Sequence, residues 1–283
     1  YIMAILIDSV SKNLNPWLKA FKSYDAQVEV YCYDDAVALE KITTAVVWNH
    51  RPGLFKQLPN LKLIASLGAG VDHIMNDPDI PPKVSITRIV GEGLSGPMSN
   101  FCIGAILHHQ RQFDKYLIDQ SNKTWDQEPN PERGMKVGIM GMGALGGDLA
   151  EKLNNLGFKV FGLSQSRKNI PHVVSYLSAE LDLFLSKINI LVVMLPATEK
   201  TRGILSKKLF DKLNKGTYLI NVARGQHQVD EDIIDAIENE QLSGAFLDVF
   251  PEEPLSKQSP FWNHPKIMIT PHIAVVTKIN EAV

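Results

Sequence analysis

Only two cysteines, Cys32 and Cys102, occur in 283 residues, and they lie far apart in apolar surroundings. That scarcity excludes a disulfide framework and a cysteine-rich metal site, and it makes a reducing compartment the default. Charge of one sign is equally scarce in block form. The 29 Lys and Arg are interspersed with 31 Asp and Glu, for a net charge of −2, so no surface for nucleic acid or an anionic membrane is legible. No apolar stretch nears the ~20 residues that cross a bilayer. The opening YIMAILIDSV ends its apolar run at Asp8, with neither a basic lead-in nor a small-residue cleavage site, and reads as a first strand. A cytoplasmic protein without nucleic-acid or membrane partners is the expectation. What remains is an ordinary globular composition, 45% hydrophobic and 21% charged, over a length suited to roughly two domains.

Short apolar runs separated by amphipathic segments form two series. The first is MAILID, VEVYCY, AVVW, LKLIASLG and VSITRI; the second is MKVGIM, KVFGL, INILVVML, TYLINV, GAFLDV and KIMIT. Runs rich in Val and Ile between helical patterns suit parallel strands buried on both faces. The fold class expected is therefore α/β, with two doubly wound parallel-sheet domains. Between the series, Ile103, Ile106, Leu107, Phe113 and Leu117 recur at helical spacing and predict one long helix over 97–120, near the domain boundary. His108 and His109 on it are adjacent, so they face different directions and read as solvated or interface side chains, not a metal pair. The polar SNKTWDQEPNPERG that follows reads as a loop.

Gly141, Gly143 and Gly146 stand in the order GxGxxG, directly after the strand MKVGIM and before the helical pattern DLAEKLNNLG. In that setting the glycines permit a tight turn and close backbone approach to a pyrophosphate, which the helix N-terminus faces through Ala144 and Leu145. Dinucleotide sites place a carboxylate about 20 positions further on, where it accepts hydrogen bonds from the ribose. Here the count of 18 from Gly146 reaches Ser164, followed by Ser166, Arg167 and Lys168, and no acid. Hydroxyls and cations there favour a 2′-phosphate. Charge-assisted bonds of ~1.5–3 kcal/mol correspond to roughly ten- to hundredfold preference for NADP(H), with NAD(H) still possible. A surface turn that is basic by chance is the competing explanation.

Arg224 follows the strand TYLINVA, Glu253 lies in LDVFPEEPL and His272 follows the strand KIMIT. Each sits just past the carboxyl end of a strand, where open α/β sheets bind ligands. An Arg fork can hold a carboxylate and polarise a carbonyl, and a His beside a Glu is available as a proton donor. With a nicotinamide, the set fits hydride transfer to a 2-oxo acid. No metal is needed.

The ordered motifs LGAGVDHI (67–74), GMGALGG (141–147), LPATEKTRGI (195–204), INVARG (220–225), LDVFPEEPL (247–255) and TPHIAVVT (270–277) resemble the D-isomer-specific 2-hydroxyacid dehydrogenase family. Within it, VVW (46–48), SQSRK (164–168), NVARGQHQV and SPFWNHP (259–265) are most similar to the glyoxylate/hydroxypyruvate reductase A type. The resemblance implies a flavodoxin-like substrate domain over 1–96 plus 266–283, a Rossmann cofactor domain over 97–265, a cleft between them, and a homodimer through the long helix. It makes Arg224 the substrate-binding, carbonyl-polarising residue, His272 the acid–base residue and Glu253, not Glu252, its carboxylate partner. It has the amides of Ala69, Gly70 and Val71 cradle the substrate carboxylate, with Trp48 in the substrate pocket, while Asp72 caps the next helix. Leu195, Pro196, Thr201, Val222, Ala223 and Asp248 are implied around the cofactor. The substrate so implied is glyoxylate, hydroxypyruvate or a similarly small 2-oxo acid. An NADH-dependent enzyme for a bulkier acid, decided around Trp48 and Arg88, and a dinucleotide-sensing regulatory protein are the alternatives. Asn100 stands where many relatives carry Glu. The chain lacks an initiating Met and stops at Val283 where relatives continue, so it is expected to be an incomplete record; His227 is expected to make a structural hydrogen bond.

Overall fold

The computed structural model describes residues 4–10, 13–35, 38–127 and 134–275, and they divide between Leu94 and Ser95 into two compact units. No helix among the described residues is long and apolar enough to cross a membrane.

The first unit runs β1 (Ala4–Asp8), α1 (Asn15–Tyr24), β2 (Glu29–Cys32), β3 (Ile42–Val47), β4 (Leu63–Ser66), α2 (Asp72–Met75) and β5 (Ser85–Thr87). Its five parallel strands lie in the order β2-β1-β3-β4-β5, the flavodoxin-like arrangement. The two-residue period of a strand explains why AILID is apolar throughout. Ala4 and Leu6 pack with Val47, Phe55 and Ile64 on one face, whereas Ile5 and Ile7 pack with Trp17 and Val46 on the other. Asp72 does not cap α2 as expected: the helix begins one residue early, with Val71 at the cap position and Asp72 already helical.

The second unit contains α3 (Glu92–Gln110, whose first turn spans the division), α4 (Phe113–Asn122), β6 (Lys136–Met140), α5 (Ala144–Asn155), β7 (Lys159–Ser164) and β8 (Val173–Leu177). It continues with α6 (Leu181–Leu185), β9 (Ile190–Val193), α7 (Lys207–Phe210), β10 (Thr217–Asn221), α8 (Asp230–Glu238), β11 (Leu242–Leu247) and β12 (Ile267–Ile269). Its seven parallel strands are ordered β12-β11-β10-β9-β6-β7-β8, the Rossmann order extended by one strand. The order reverses between β6 and β9, so Gly141 and Met194, just past the ends of these two strands, lie at the switch point.

Three elements differ from expectation. The strand KIMIT does not open a return to the first unit at 266; Ile267–Ile269 pairs with β11, and the Ala245 N–H donates to the Lys266 carbonyl at 3.0 Å, so this segment completes the second sheet. The remainder of the expected return, 276–283, lies outside the described residues. The single helix expected over 97–120 is two helices, because Gln112 takes a left-handed backbone (φ 54) that ends α3. The apolar stripe continues across that break, yet Phe113, Leu117 and Ile118 stay exposed and no residue of α4 is buried. Finally β8, the edge strand VVSYL, was not among the expected strands; it is short, and only Tyr176 of its side chains is buried. His108 and His109 diverge as expected: His109 stacks on Tyr218 with ring centres 3.8 Å apart, whereas His108 lies 3.5 Å from Asp114.

The second core is dense around Phe184, which is fully buried and packs where Gly138 leaves no side chain on β6. Truncation to alanine opens a cavity that the surrounding sheet cannot close. Phe184→Ala is expected to destabilise the second unit by about 3–5 kcal/mol, read as a lower urea midpoint at unchanged slope.

Candidate active site

The glycine loop joins β6 to α5. Gly141 has φ +110, and a Cβ there would lie 2.5 Å from the Met194 carbonyl oxygen, so only glycine lets the loop pass this close to the segment after β9. Gly143 faces open space. The N–H groups of Ala144, Leu145 and Gly146 donate to no protein group among the described residues. A twelve-residue helix thus presents three unsatisfied donors and its positive end beside an opening, a fit for a pyrophosphate. Across the switch point, the Pro196 carbonyl accepts from the Thr201 hydroxyl (2.8 Å) and lies 3.2 Å from Nε2 of buried His227. That contact is the structural hydrogen bond expected of His227, and it fixes the segment Leu195–Pro196. Val222 and Ala223 are buried in the core, and the Ala223 N–H and carbonyl are already taken by Asn221 Oδ1 and Arg224 Nη1.

The turn after β7 carries no carboxylate of its own. Ser164 Oγ donates to the Ser166 carbonyl at 2.7 Å, and Ser166, Arg167 and Lys168 are exposed. Arg167 is not idle, however. Its Nη1 donates to the Ser175 carbonyl (2.6 Å), and its Nη2 donates to both oxygens of Glu180 at 2.9 and 3.0 Å. The Leu177 N–H and Arg167 together outweigh burial and hold the Glu180 carboxyl below the ordinary range. Two of the five guanidinium N–H groups have no partner among the described residues. Glu180 was invisible in the sequence reading because its partner lies 13 residues upstream, across a strand that was itself missed.

Arg224, Glu253 and His272 all lie in the second unit, past the ends of β10, β11 and β12. His272 Nδ1 and Glu253 Oε2 are 2.7 Å apart. The other oxygen of Glu253 accepts the Phe250 N–H at 3.0 Å. Burial pushes the Glu253 carboxyl up, but the His272 hydrogen bond, the Phe250 N–H and the charge of Arg224 outweigh it and hold the group below the usual glutamate range. Gly225 brings the Arg224 and Glu253 segments together, since any Cβ at 225 would overlap the Phe250–Pro251 peptide. Asn221, fully buried, shapes the same turn: its Nδ2 donates to the Arg224 carbonyl (3.2 Å) and its Oδ1 accepts the Ala223 N–H (3.1 Å).

His272 itself has φ +54, a strained conformation for a non-glycine residue. Asp248 holds it there. The Asp248 carbonyl accepts the His272 N–H at 2.8 Å, and its carboxylate accepts from the Thr270 hydroxyl (2.6 Å) and from the Ile273 and Ala274 N–H groups (2.9 Å each). Asp248 was expected beside a nicotinamide carboxamide; three of its roughly four acceptor positions are taken by this turn, which leaves one. Asn221 and Thr270 were missed as contributors although both fall inside quoted motifs; an Asn or Thr at a strand end was the available signal.

In the first unit, Trp48 follows β3, half-buried, with its ring centre 4.8 Å from that of His73 and its edge filling the space beside Gly68. Ala69, Gly70 and Val71 form the half-buried loop after β4.

Comparison with known proteins agrees with this geometry. Residues 103–274 match the model of the D-isomer specific 2-hydroxyacid dehydrogenase NAD binding domain. A glyoxylate/hydroxypyruvate reductase A of Citrobacter koseri is 40% identical over 246 residues, 84% of this chain and 78% of that protein. Among solved structures, an NADPH-dependent glyoxylate/hydroxypyruvate reductase from Sinorhizobium meliloti, in complex with NADP and sulfate, is 38% identical. It superposes with a TM-score of 0.90 over 96% of this chain and 89% of its own. A D-isomer specific 2-hydroxyacid dehydrogenase from Xanthobacter autotrophicus Py2, in complex with NADPH and MES, is 31% identical with a TM-score of 0.94 over 100% of this chain and 91% of its own. The chain belongs to the D-isomer specific 2-hydroxyacid dehydrogenase family of oxidoreductases.

Proposed function

We propose that this protein reduces a small 2-oxo acid, of the glyoxylate and hydroxypyruvate class, to the 2-hydroxy acid with NADPH, His272 acting as proton donor. The observation that carries the reading is the 2.7 Å His272–Glu253 pair with Arg224 close enough to bias its charge. With Nδ1–H directed at Glu253, Nε2 makes no hydrogen bond among the described residues and is the end available to substrate. The family and the NADP-bound relatives support the choice of cofactor. The amides of Ala144, Leu145 and Gly146 would hold its pyrophosphate, with Ser164, Ser166, Arg167 and Lys168 at the 2′-phosphate. When bound, the nicotinamide supplies the hydride.

The protein's own groups perform the rest. Arg224 orients the substrate carboxylate and polarises the C2 carbonyl; His272 gives the Nε2 proton to the oxygen as negative charge develops on it. Glu253 stays ionised and stabilises the protonated imidazole in the orientation that delivers the proton. On the first unit, the amides of Ala69, Gly70 and Val71 take the substrate carboxylate, and Trp48 bounds the space for its side chain. A homodimer is part of the proposal, supported by the exposed apolar residues Phe113, Leu117 and Ile118 of α4. Leu117→Glu should then halve the mass seen by light scattering.

A panel of 2-oxo acids assayed with NADPH and with NADH tests the reading. Glyoxylate or hydroxypyruvate should turn over with the higher kcat/KM on NADPH, and Arg167→Ala should erase most of that preference. His272→Ala should lose at least ~10²-fold in kcat, the scale of a general acid; wild-type turnover in that variant would end the mechanism. The lowered Glu253 value adds a pH signature. Its stabilising contribution is complete above the unfolded range near ~4.3 and is lost as pH falls through the lower folded value. Glu253→Gln should therefore show a shallower loss of stability below about pH 4 than wild type, read from urea midpoints across that range.

A further inference from the structure

The loop that closes β4 has an unusual division of its backbone groups. The carbonyls of Gly68, Ala69 and Gly70 are each taken by a separate donor: the Ile89 N–H at 3.2 Å, Arg88 Nη1 at 2.8 Å and the Ser66 hydroxyl at 2.6 Å. Ser66 is 3% exposed, and the same oxygen accepts the Gly68 N–H at 3.3 Å, so it pins the loop from inside. The Ala69, Gly70 and Val71 N–H groups, by contrast, donate to nothing among the described residues.

These two facts are one. In a trans peptide the carbonyl of one residue and the N–H of the next share a plane and point in opposite directions. Drawing three successive carbonyls toward the protein therefore turns three successive N–H groups away from it. Ile89 orients the Ala69 N–H, Arg88 the Gly70 N–H and Ser66 the Val71 N–H. A cation on a carbonyl oxygen also polarises the peptide and strengthens donation from its N–H end. Half-buried and unsatisfied, such donors await an anion, because a backbone N–H left without a partner is costly.

We propose that Arg88 and Ser66 are positioning residues for substrate, acting through the backbone: each grips a carbonyl so that the amide behind it meets the carboxylate of the 2-oxo acid. This rests on the assignment of Ala69–Val71 as the carboxylate cradle under the proposed function. Arg88 works from the far side of the peptide, so it supports the carboxylate without touching it. Lysine retains charge and a donor at that position; glutamine retains only a donor.

The experiment is steady-state kinetics on glyoxylate with NADPH, paired with calorimetric titration of oxamate, a non-reducible carboxylate of the same shape. Arg88→Gln should raise the glyoxylate KM and the oxamate Kd by about tenfold, the scale of one charge-assisted hydrogen bond. Its kcat and its KM for NADPH should stay within about threefold, and Arg88→Lys should recover much of the loss. Ser66→Ala, which removes a single hydroxyl, should give the same split through the Gly70 carbonyl and serves if Arg88→Gln does not fold. Unchanged glyoxylate KM and oxamate Kd in both variants would overturn the proposal, as would a parallel fall in kcat and in NADPH binding. Failure of wild type to reduce any 2-oxo acid would sink the reductase reading instead; an oxamate Kd that still rises in Arg88→Gln would then uphold the cradle by itself.

Discussion

The end of the second unit that carries Arg224, Glu253 and His272 hangs on the buried carboxylate of Asp248. A charge withdrawn from water needs a full set of donors, and this one obtains them from the turn over 270–274 that begins where β12 ends. Its own N–H is donated to the Asn221 carbonyl, so the end of β10 is drawn into the same arrangement. The ends of three adjacent strands are thereby fixed to one residue, through its side chain and its backbone. His272 can occupy a strained backbone position only because this framework over-determines it, and Glu253 then finds the imidazole in reach.

Both units make anion-ready donors, and they do so differently. In the second unit the donors come from a helix end, where geometry leaves the first amides of α5 unsatisfied whatever the surrounding side chains. In the first unit α2 is only four residues long, and the amides are exposed by specific grips on the carbonyls behind them. The helix solution depends on glycines, which are conspicuous in a sequence. The grip solution depends on an ordinary serine and arginine, which are not.

That contrast explains what could be read in advance. Strands such as AILID, ILVV and TYLIN were legible because a parallel strand buried on both faces is apolar at every position. VVSYL was not, since an edge strand keeps few buried side chains. The break at Gln112 carries no glycine or proline to announce it, and the apolar stripe runs on through it. Arg224, Glu253 and His272 could be placed from their positions after strand ends, whereas Glu180 could not, because an ion pair across two strands leaves no periodic trace. KIMIT could be read as a strand of the second series, and its pairing with β11 agrees with that; a boundary at 266 was not legible, because local pattern does not encode where the chain leaves a sheet.

The turn after β7 shows how separable the parts of such a protein are. Residues 165–168 are exposed and none packs in either core cluster of the second unit, while Arg224, Glu253 and His272 are braced by Asn221, Asp248 and Gly225, all much later in the chain. Substitutions at the turn leave the packing of both core clusters and the His272–Glu253 contact as they are. Under the proposed function, cofactor choice and proton transfer therefore rest on separate parts of the chain, and a redesign aimed at one dinucleotide can leave Arg224, Glu253 and His272 as they stand.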